Sequence, residues 1–203
     1  MVIKPAAELE LVGGAPVLEL VNTQEGPRDG EPGHDFLPDY GELVAWGEHV
    51  GIVHGAAALA AEGRRRPESA ARVLDDTRAL RAASHAVFSA VANHEPPPAE
   101  PLAQLDAAYA GAIRHARLKR VGPAHFEHTW DDSALERPLW PLAVSAVDLL
   151  RTGPLDRLKA CDACRWLFLD LSRNHSRRWC TMNICGASAK MRRYRARIAT
   201  AGR

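Results

Sequence analysis

The chain has 203 residues, of which 46% are hydrophobic and 25% are charged, and its formal net charge at pH 7 is +1. This composition excludes collagen-like, coiled-coil and disordered proteins, which need a simple repeat or a smaller apolar fraction. No apolar run approaches the roughly 20 residues that span a bilayer, and the amino-terminal residues lack the apolar centre of a signal peptide. The sequence therefore predicts a cytoplasmic protein with no membrane partner.

Charge is divided unevenly along the chain. Residues 1–150 contain 13 Lys and Arg against 22 Asp and Glu, a net charge of −9, whereas residues 151–203 contain 13 against 3, a net charge of +10. A basic segment gains free energy by releasing the counterions condensed on phosphates, so nucleic acid is the first candidate partner. The alternative is attraction between the acidic and basic parts of the same chain.

Hydrophobic spacing and turn residues predict an α-rich amino-terminal body. Residues 11–23 suit a helix or a strand, and residues 24–39, rich in Gly, Pro and Asp, predict an exposed loop. Segments 115–121 and 125–130, separated by Gly122-Pro123, predict a small β-hairpin. Helices are predicted over residues 40–50, 54–63, 67–91, 101–114 and 139–150.

The body contains no recognisable catalytic motif. P-loop, dinucleotide-binding, Gly-x-Ser-x-Gly and His-Glu-x-x-His patterns are absent, and the histidines are scattered. If the chain were an enzyme, the candidate parts of its active site would be only the loop at 24–39 and the polar pair Asn22-Thr23. Asn22 and Thr23 are therefore the candidate residues for binding a small-molecule effector, and the sequence favours a protein that is not an enzyme.

All four cysteines fall within 25 residues, as Cys161-x2-Cys164-x15-Cys180-x4-Cys185. Two close pairs with a hairpin-length insert have the spacing at which four thiolates converge on Zn²⁺. The alternatives are disulfides, which do not persist in a reducing cytoplasm, or four unrelated thiols. Because four protein ligands leave no open coordination position, the sequence predicts one structural zinc ion per chain.

The insert and the residues after it complete the predicted zinc finger. Residues 165–171 have strand composition, and Arg173-Asn174-His175 can turn the chain back toward residues 177–179. A terminal helix follows, with one apolar stripe that we expect to pack on the finger, formed by Ala187, Met191, Tyr194 and Ile198. The order of knuckle, hairpin, second knuckle and helix is typical of a treble-clef zinc finger.

The rest of the terminal helix and the hairpin turn are basic. These side chains could follow a phosphate backbone, or they could pair with the acidic body or with an acidic protein surface. The candidate nucleic-acid contacts are Arg173, Arg177, Arg178, Lys190, Arg192, Arg193, Arg195 and Arg197.

The segment from Cys161 to Gly186 resembles the CGNR zinc finger family. Gly13-Gly14, Asn22-Thr23 and residues 139–150 are similar to the ABATE domain, which precedes this finger in bacterial proteins described as stress-induced transcription regulators. The resemblance implies zinc binding at the four cysteines and suggests DNA binding. The signature Cys-Gly-Asn-Arg reads Cys185-Gly186-Ala187-Ser188 here, so an amide and a guanidinium are missing at the start of the helix.

These observations predict an α+β protein in two parts. Residues 1–153 form an ABATE-like, α-rich body with a small β-hairpin, and residues 154–203 form a treble-clef-like zinc finger with four cysteine ligands. The expected function is DNA-binding transcription regulation, with a body that senses a ligand or forms a homodimer. A protein-interaction module with a structural zinc finger, or an enzyme that uses a pocket in the body, is the alternative.

Overall fold

In the computed structural model, residues 4–201 are described, without the side chains of Arg193, Ala196 and residues 199–201. The described residues confirm a helix-rich body with a small hairpin, followed by a four-cysteine module. The elements are α1 (Pro16–Val21), α2 (Tyr40–Val50), α3 (Ala56–Arg65), α4 (Pro67–Ala92), α5 (Ala99–His115), β1 (Arg117–Gly122), β2 (His125–Thr129), α6 (Leu139–Thr152), β3 (Leu158–Ala160), β4 (Leu167–Leu169) and α7 (Ala187–Ala201).

The segment that suited either a helix or a strand contains the short helix α1. Its first residue is Pro16, whose fixed φ suits the start of a helix, and the five residues that follow it are buried. The Glu19 carboxylate turns back and accepts hydrogen bonds from the backbone N–H groups of Val12 (3.1 Å) and Gly14 (3.0 Å). Burial raises the pKa of Glu19, although these hydrogen bonds oppose the shift. The buried carboxylate thus fixes the approach of the chain to α1.

Helices α2 and α3 show how local signals and packing set helix ends. Asp39 caps α2 by accepting a hydrogen bond from the Glu42 N–H at 2.9 Å, and Gly51, with a φ of +85°, ends it as predicted. The predicted end of α3 at Gly63 is wrong, because that helix continues to Arg65. A Cβ at Gly63 would lie 2.6 Å from the Tyr40 ring, so this glycine allows two helices to approach closely.

A hydrophobic core surrounds the long helix α4. Trp46 from α2, Phe88 from α4, Leu105 from α5 and Leu142 from α6 are at most 1% exposed within it. The same core includes leucines from the two strands that flank the first cysteine pair, namely Leu158, Leu167 and Leu169. The division at residue 153 stays a prediction, because the segments on either side of it share this core. No helix in the described residues has the length and apolarity needed to cross a membrane.

The predicted hairpin at 115–130 is confirmed by β1 and β2, which pair in antiparallel fashion with Leu118 opposite His128. The ribbon is largely exposed on both faces, and Leu118 and Phe126 are 72% and 56% exposed. At its base, the buried Trp130 donates a hydrogen bond to the Ala112 carbonyl at 2.9 Å. The hairpin is therefore fixed to the body at its base.

The second hairpin differs from the prediction. Strand β4 lies inside the predicted strand, but its antiparallel partner is β3, which precedes the first cysteine pair. Residues 177–179 form no strand, and their contacts with the knuckle include a 3.0 Å hydrogen bond from the Asp162 N–H to the Arg178 carbonyl. The buried Asp170 carboxylate accepts from Lys159 Nζ (2.6 Å) and the Arg177 N–H (3.0 Å), so these bonds turn the chain away from β4.

Candidate metal centre and basic helix

The four cysteines come from two backbone knuckles. Cys161 and Cys164 lie in the turn between β3 and β4, whereas Cys180 and Cys185 belong to a turn that leads directly into α7. In the second knuckle, the Thr181 hydroxyl accepts a hydrogen bond from the Ile184 N–H at 3.1 Å. The two pairs therefore approach each other from a strand turn and from the start of a helix.

The sulfur positions fit one zinc ion. All four Sγ atoms lie within 4.8 Å of one another, with Cys164 to Cys180 at 3.6 Å and Cys180 to Cys185 at 3.5 Å. Tetrahedral zinc with bonds of about 2.3 Å separates its sulfurs by about 3.8 Å. A disulfide would need about 2.0 Å, and all four cysteines are free thiols. The site can therefore hold one zinc ion with four sulfur ligands.

The thiols strongly affect one another's ionisation. Hydrogen bonds from Cys164 and Cys180 lower the pKa of Cys161, and the bond to Cys161 raises the pKa of both Cys164 and Cys180. Burial raises the pKa of Cys185. Four thiolates so close together require a cation, and a bound Zn²⁺ allows all four to be deprotonated.

A small apolar cluster supports the metal centre. Trp166 and Phe168 are buried beside Cys161 and Cys180. The guanidinium of Arg177 lies 4.3 Å from the Phe168 ring and donates hydrogen bonds to the carbonyls of Trp179 and Cys180. Arg177, a predicted nucleic-acid contact, thus holds the second knuckle in place, and its contact with nucleic acid stays a prediction.

The glycine after the last cysteine packs closely against two side chains of the second knuckle. A Cβ at Gly186 would lie 2.9 Å from Met182 Sδ and 3.4 Å from the Trp179 ring. The next two residues, Ala187 and Ser188, are exposed. The glycine of the family signature is therefore buried in this knuckle, while the two positions where this chain departs from the signature are exposed.

Most of the other predicted nucleic-acid contacts are exposed. Arg178 is partly occupied, because it donates to Asp162 at 2.7 Å, although its side chain remains 58% exposed. The side chain of Arg193 lies outside the described residues. The exposed cationic side chains of the turn after β4 and of α7, which we call the basic surface, are Arg173, Lys190, Arg192, Arg195 and Arg197.

The expectation that the apolar stripe of α7 packs on the finger is wrong. Met191, Tyr194 and Ile198 are 51%, 59% and 55% exposed, and Ala187 is exposed as well. Ala189, in the first turn of the helix, is buried at 8% exposure. The finger therefore covers only the start of α7, and the rest of the stripe extends beyond the small apolar cluster.

The candidate effector residues Asn22 and Thr23 lie at the contact between body and finger. The Asn22 side-chain amide donates to the Leu167 carbonyl at 2.9 Å and accepts from the Leu167 N–H at 3.0 Å. The Thr23 hydroxyl donates to the Leu20 carbonyl and accepts from Arg81. Both residues are buried and bonded within the chain, so the structure brings them together with β4, and their binding of an effector stays a prediction.

The sequence did not single out the ion pair that fixes the loop at 24–39. Arg81, 5% exposed on α4, donates to both carboxylate oxygens of Asp35, at 2.7 and 2.5 Å. Burial opposes ionisation of Asp35, but the hydrogen bonds from Arg81 and from the Leu37 N–H lower its pKa. The sequence did contain a signal for this ion pair, because Arg81 is a charged residue at a position of α4 where the helical spacing favours an apolar side chain.

A cavity of about 370 Å³ opens beside the cysteine cluster. Its lining includes Cys164 and Cys185 together with Glu25, Trp166 and Ile184. Cys180 lines this cavity as well, so three of the four cysteines border it.

Two family models match the chain. Residues 14–153 match ABATE, described as "Putative stress-induced transcription regulator", and residues 157–198 match the CGNR zinc finger. Among curated proteins, none matches the chain. The ABATE match covers more than half of the sequence and the finger match includes all four cysteines. The chain therefore belongs to the ABATE family and carries a carboxy-terminal CGNR zinc finger.

Proposed function

We propose that the chain is a DNA-binding transcription regulator in which Cys161, Cys164, Cys180 and Cys185 bind one structural zinc ion. The observation that carries this proposal is the basic surface, whose five exposed cations lie in the turn between the two cysteine pairs and along α7. The family description, transcription regulator, supports the same conclusion.

The zinc ion would have a structural role. When bound, Zn²⁺ joins the two knuckles and supplies the folding free energy of a small module. Because four protein sulfurs fill its coordination sphere, no position is left for a substrate. The ion therefore fixes the start of α7 relative to β4, and α7 presents its cations from that fixed point.

Helix α7 has the size and charge to meet a duplex. Its 15 residues span about 22 Å at 1.5 Å per residue, close to the length of six base pairs. Lys190, Arg192, Arg195 and Arg197 lie along it, and Arg173 adds a fifth cation from the turn. Phosphate contacts of this kind supply affinity without reading sequence. Ser188 stands where the family signature has an arginine, so the start of α7 carries one cation fewer than the signature.

The experiment is fluorescence anisotropy of labelled duplex DNA with the zinc-loaded full chain at several salt concentrations. Arg192→Ala/Arg195→Ala should weaken binding and flatten the slope of log K against log salt by nearly two units, at about 0.9 per phosphate contact. The matched control is Arg64→Ala/Arg114→Ala, which removes two exposed arginines from the body. Equal losses in both double variants would contradict the assignment of the basic surface.

A second candidate function, self-association, is favoured by the exposed apolar stripe of α7. Met191, Tyr194 and Ile198 are spaced so that they lie along one side of the helix, and each is more than half exposed. We propose that this stripe joins two copies of the chain into a homodimer. In sedimentation equilibrium, Tyr194→Glu should give monomers, while Phe126→Glu, at an equally exposed aromatic of the hairpin, should remain dimeric. A monomeric wild-type chain would refute the homodimer.

A further inference from the structure

Positive charge exceeds negative charge beneath the loop formed by residues 24–35. The Asp35 carboxylate is the hydrogen-bond acceptor for Arg81, and Arg78 Nε lies 3.7 Å from the same carboxylate. One carboxylate is thus shared by two guanidinium groups. It has little remaining capacity to compensate a third cation nearby.

The third cation is Arg165, which immediately follows a cysteine of the first knuckle. Its backbone is fixed, because its N–H donates to the Gly26 carbonyl at 3.2 Å and its carbonyl contacts His85 Nε2 at 3.2 Å. Its side-chain Nε and Nη1 atoms are buried, and neither has a hydrogen-bond partner within residues 4–201. Arg165 is therefore held in place by its backbone, while two of the three nitrogens of its guanidinium are buried without a partner.

The charges around Arg165 do not provide that partner. The charge of Arg81 acts unfavourably on Arg165, and the charge of Glu31 acts favourably but without a hydrogen bond to the buried nitrogens. Buried polar groups are rarely left unpaired in folded proteins, so two unpaired donors on one guanidinium indicate a partner such as a water molecule, an ion or a ligand.

We propose that Arg165 anchors a binding site for a small ligand that carries a carboxylate or phosphate group. A planar guanidinium with free Nε and Nη1 donors matches the two oxygens of such a group, and Arg81 adds positive charge. Because these donors are buried, the backbone of a nucleic acid cannot reach them, and the ligand would be a small anion. The bound anion would connect the first knuckle to α4, and it would therefore link ligand binding to the finger.

This inference deepens the ligand-sensing part of the proposed function, but it does not require the chain to bind DNA. The test is thermal unfolding of the zinc-loaded full chain in inorganic phosphate, in acetate and in chloride at equal ionic strength. Phosphate, acetate or both should raise the melting temperature above that in chloride, and the active anion identifies the class of ligand. No rise with either anion would overturn the proposal.

Two variants locate the effect. Arg165→Gln should lose the rise in melting temperature, whereas Arg173→Gln, which removes an exposed arginine of the same finger, should keep it. An unchanged response in Arg165→Gln would overturn the site. If that variant does not fold, NMR of the wild-type chain labelled with ¹⁵N-arginine tests the site instead. The Arg165 Nε–H signal is identified in these spectra by its absence from the spectrum of Arg165→Lys. A saturable shift of that signal on addition of the active anion supports the site, and a constant signal overturns it.

Discussion

Replacing Asn22 by Ala tests how the finger is joined to the body. The Asn22 amide uses both its donor and its acceptor on the backbone of Leu167, at 2.9 and 3.0 Å. Both residues are nearly inaccessible to water, with 3% and 1% exposure. The side-chain amide therefore makes the same pair of hydrogen bonds to β4 that the backbone of a neighbouring strand would make. Removing it leaves a buried N–H and a buried carbonyl without partners.

The expected loss of stability follows from those two groups. Each buried polar group left unpaired costs about 1–3 kcal/mol, so Asn22→Ala should lower the free energy of unfolding by roughly 2–6 kcal/mol. In a chain of about 200 residues, that corresponds to a fall in melting temperature of roughly 4–24 °C. The matched control is Asn93→Ala at the exposed end of α4, which should change stability by less than about 0.5 kcal/mol.

Urea unfolding of the zinc-loaded chain, followed by circular dichroism, measures both variants. Zinc content after dialysis provides a second measurement, because β4 is the strand that leads out of the first knuckle. A loss in Asn22→Ala no larger than in Asn93→Ala would refute the structural role of this amide. It would then favour the sequence-based hypothesis that Asn22 binds an effector.

Three further predictions test the metal centre, the buried ion pair and the packing. X-ray absorption should show one zinc ion per chain with four sulfurs at about 2.3 Å, and a nitrogen ligand would contradict the assignment. Because the pKa of Asp35 is lowered in the folded chain, its contribution to stability is present above the ordinary value of 3.8 and is lost as the pH falls through the lower folded value. Asp35→Asn should therefore weaken the acid dependence of stability, whereas Asp29→Asn, at a side chain that is 93% exposed, should leave it intact. Gly63→Ala should destabilise the chain by about 1–3 kcal/mol, because its Cβ meets the Tyr40 ring, whereas Gly111→Ala, with nothing within 4 Å, should stabilise it by roughly 0.5–1 kcal/mol.

The sequence predicted features that depend on neighbours along the chain. The helices at 40–50 and 67–91 follow from capping residues and a regular apolar spacing, and both are confirmed within a residue. The two cysteine pairs likewise lie close in sequence, so their convergence could be predicted from spacing alone. These signals act over a few residues and need no knowledge of the tertiary fold.

Features that depend on distant partners were not predicted. The partner of Asn22 lies 145 residues away, and nothing in the local sequence distinguishes this buried amide from a ligand-binding one. The pairing of β4 with β3 was missed because the Asp170 carboxylate, which turns the chain, has partners on both sides of the knuckle. The stripe on α7 has the spacing of a buried face, but spacing does not show how far the finger extends.

Comparison of duplex DNA binding by the zinc-loaded and zinc-stripped full chain tests the central claim most directly. If the five cations of the basic surface meet phosphates, the zinc-loaded chain should bind with a log K against log salt slope near −4.5, at about 0.9 per contact. The stripped chain should bind more weakly and with a shallower slope, because α7 is no longer fixed to the knuckles. Equal binding with and without zinc, or no salt-dependent binding at low ionic strength, would contradict the account.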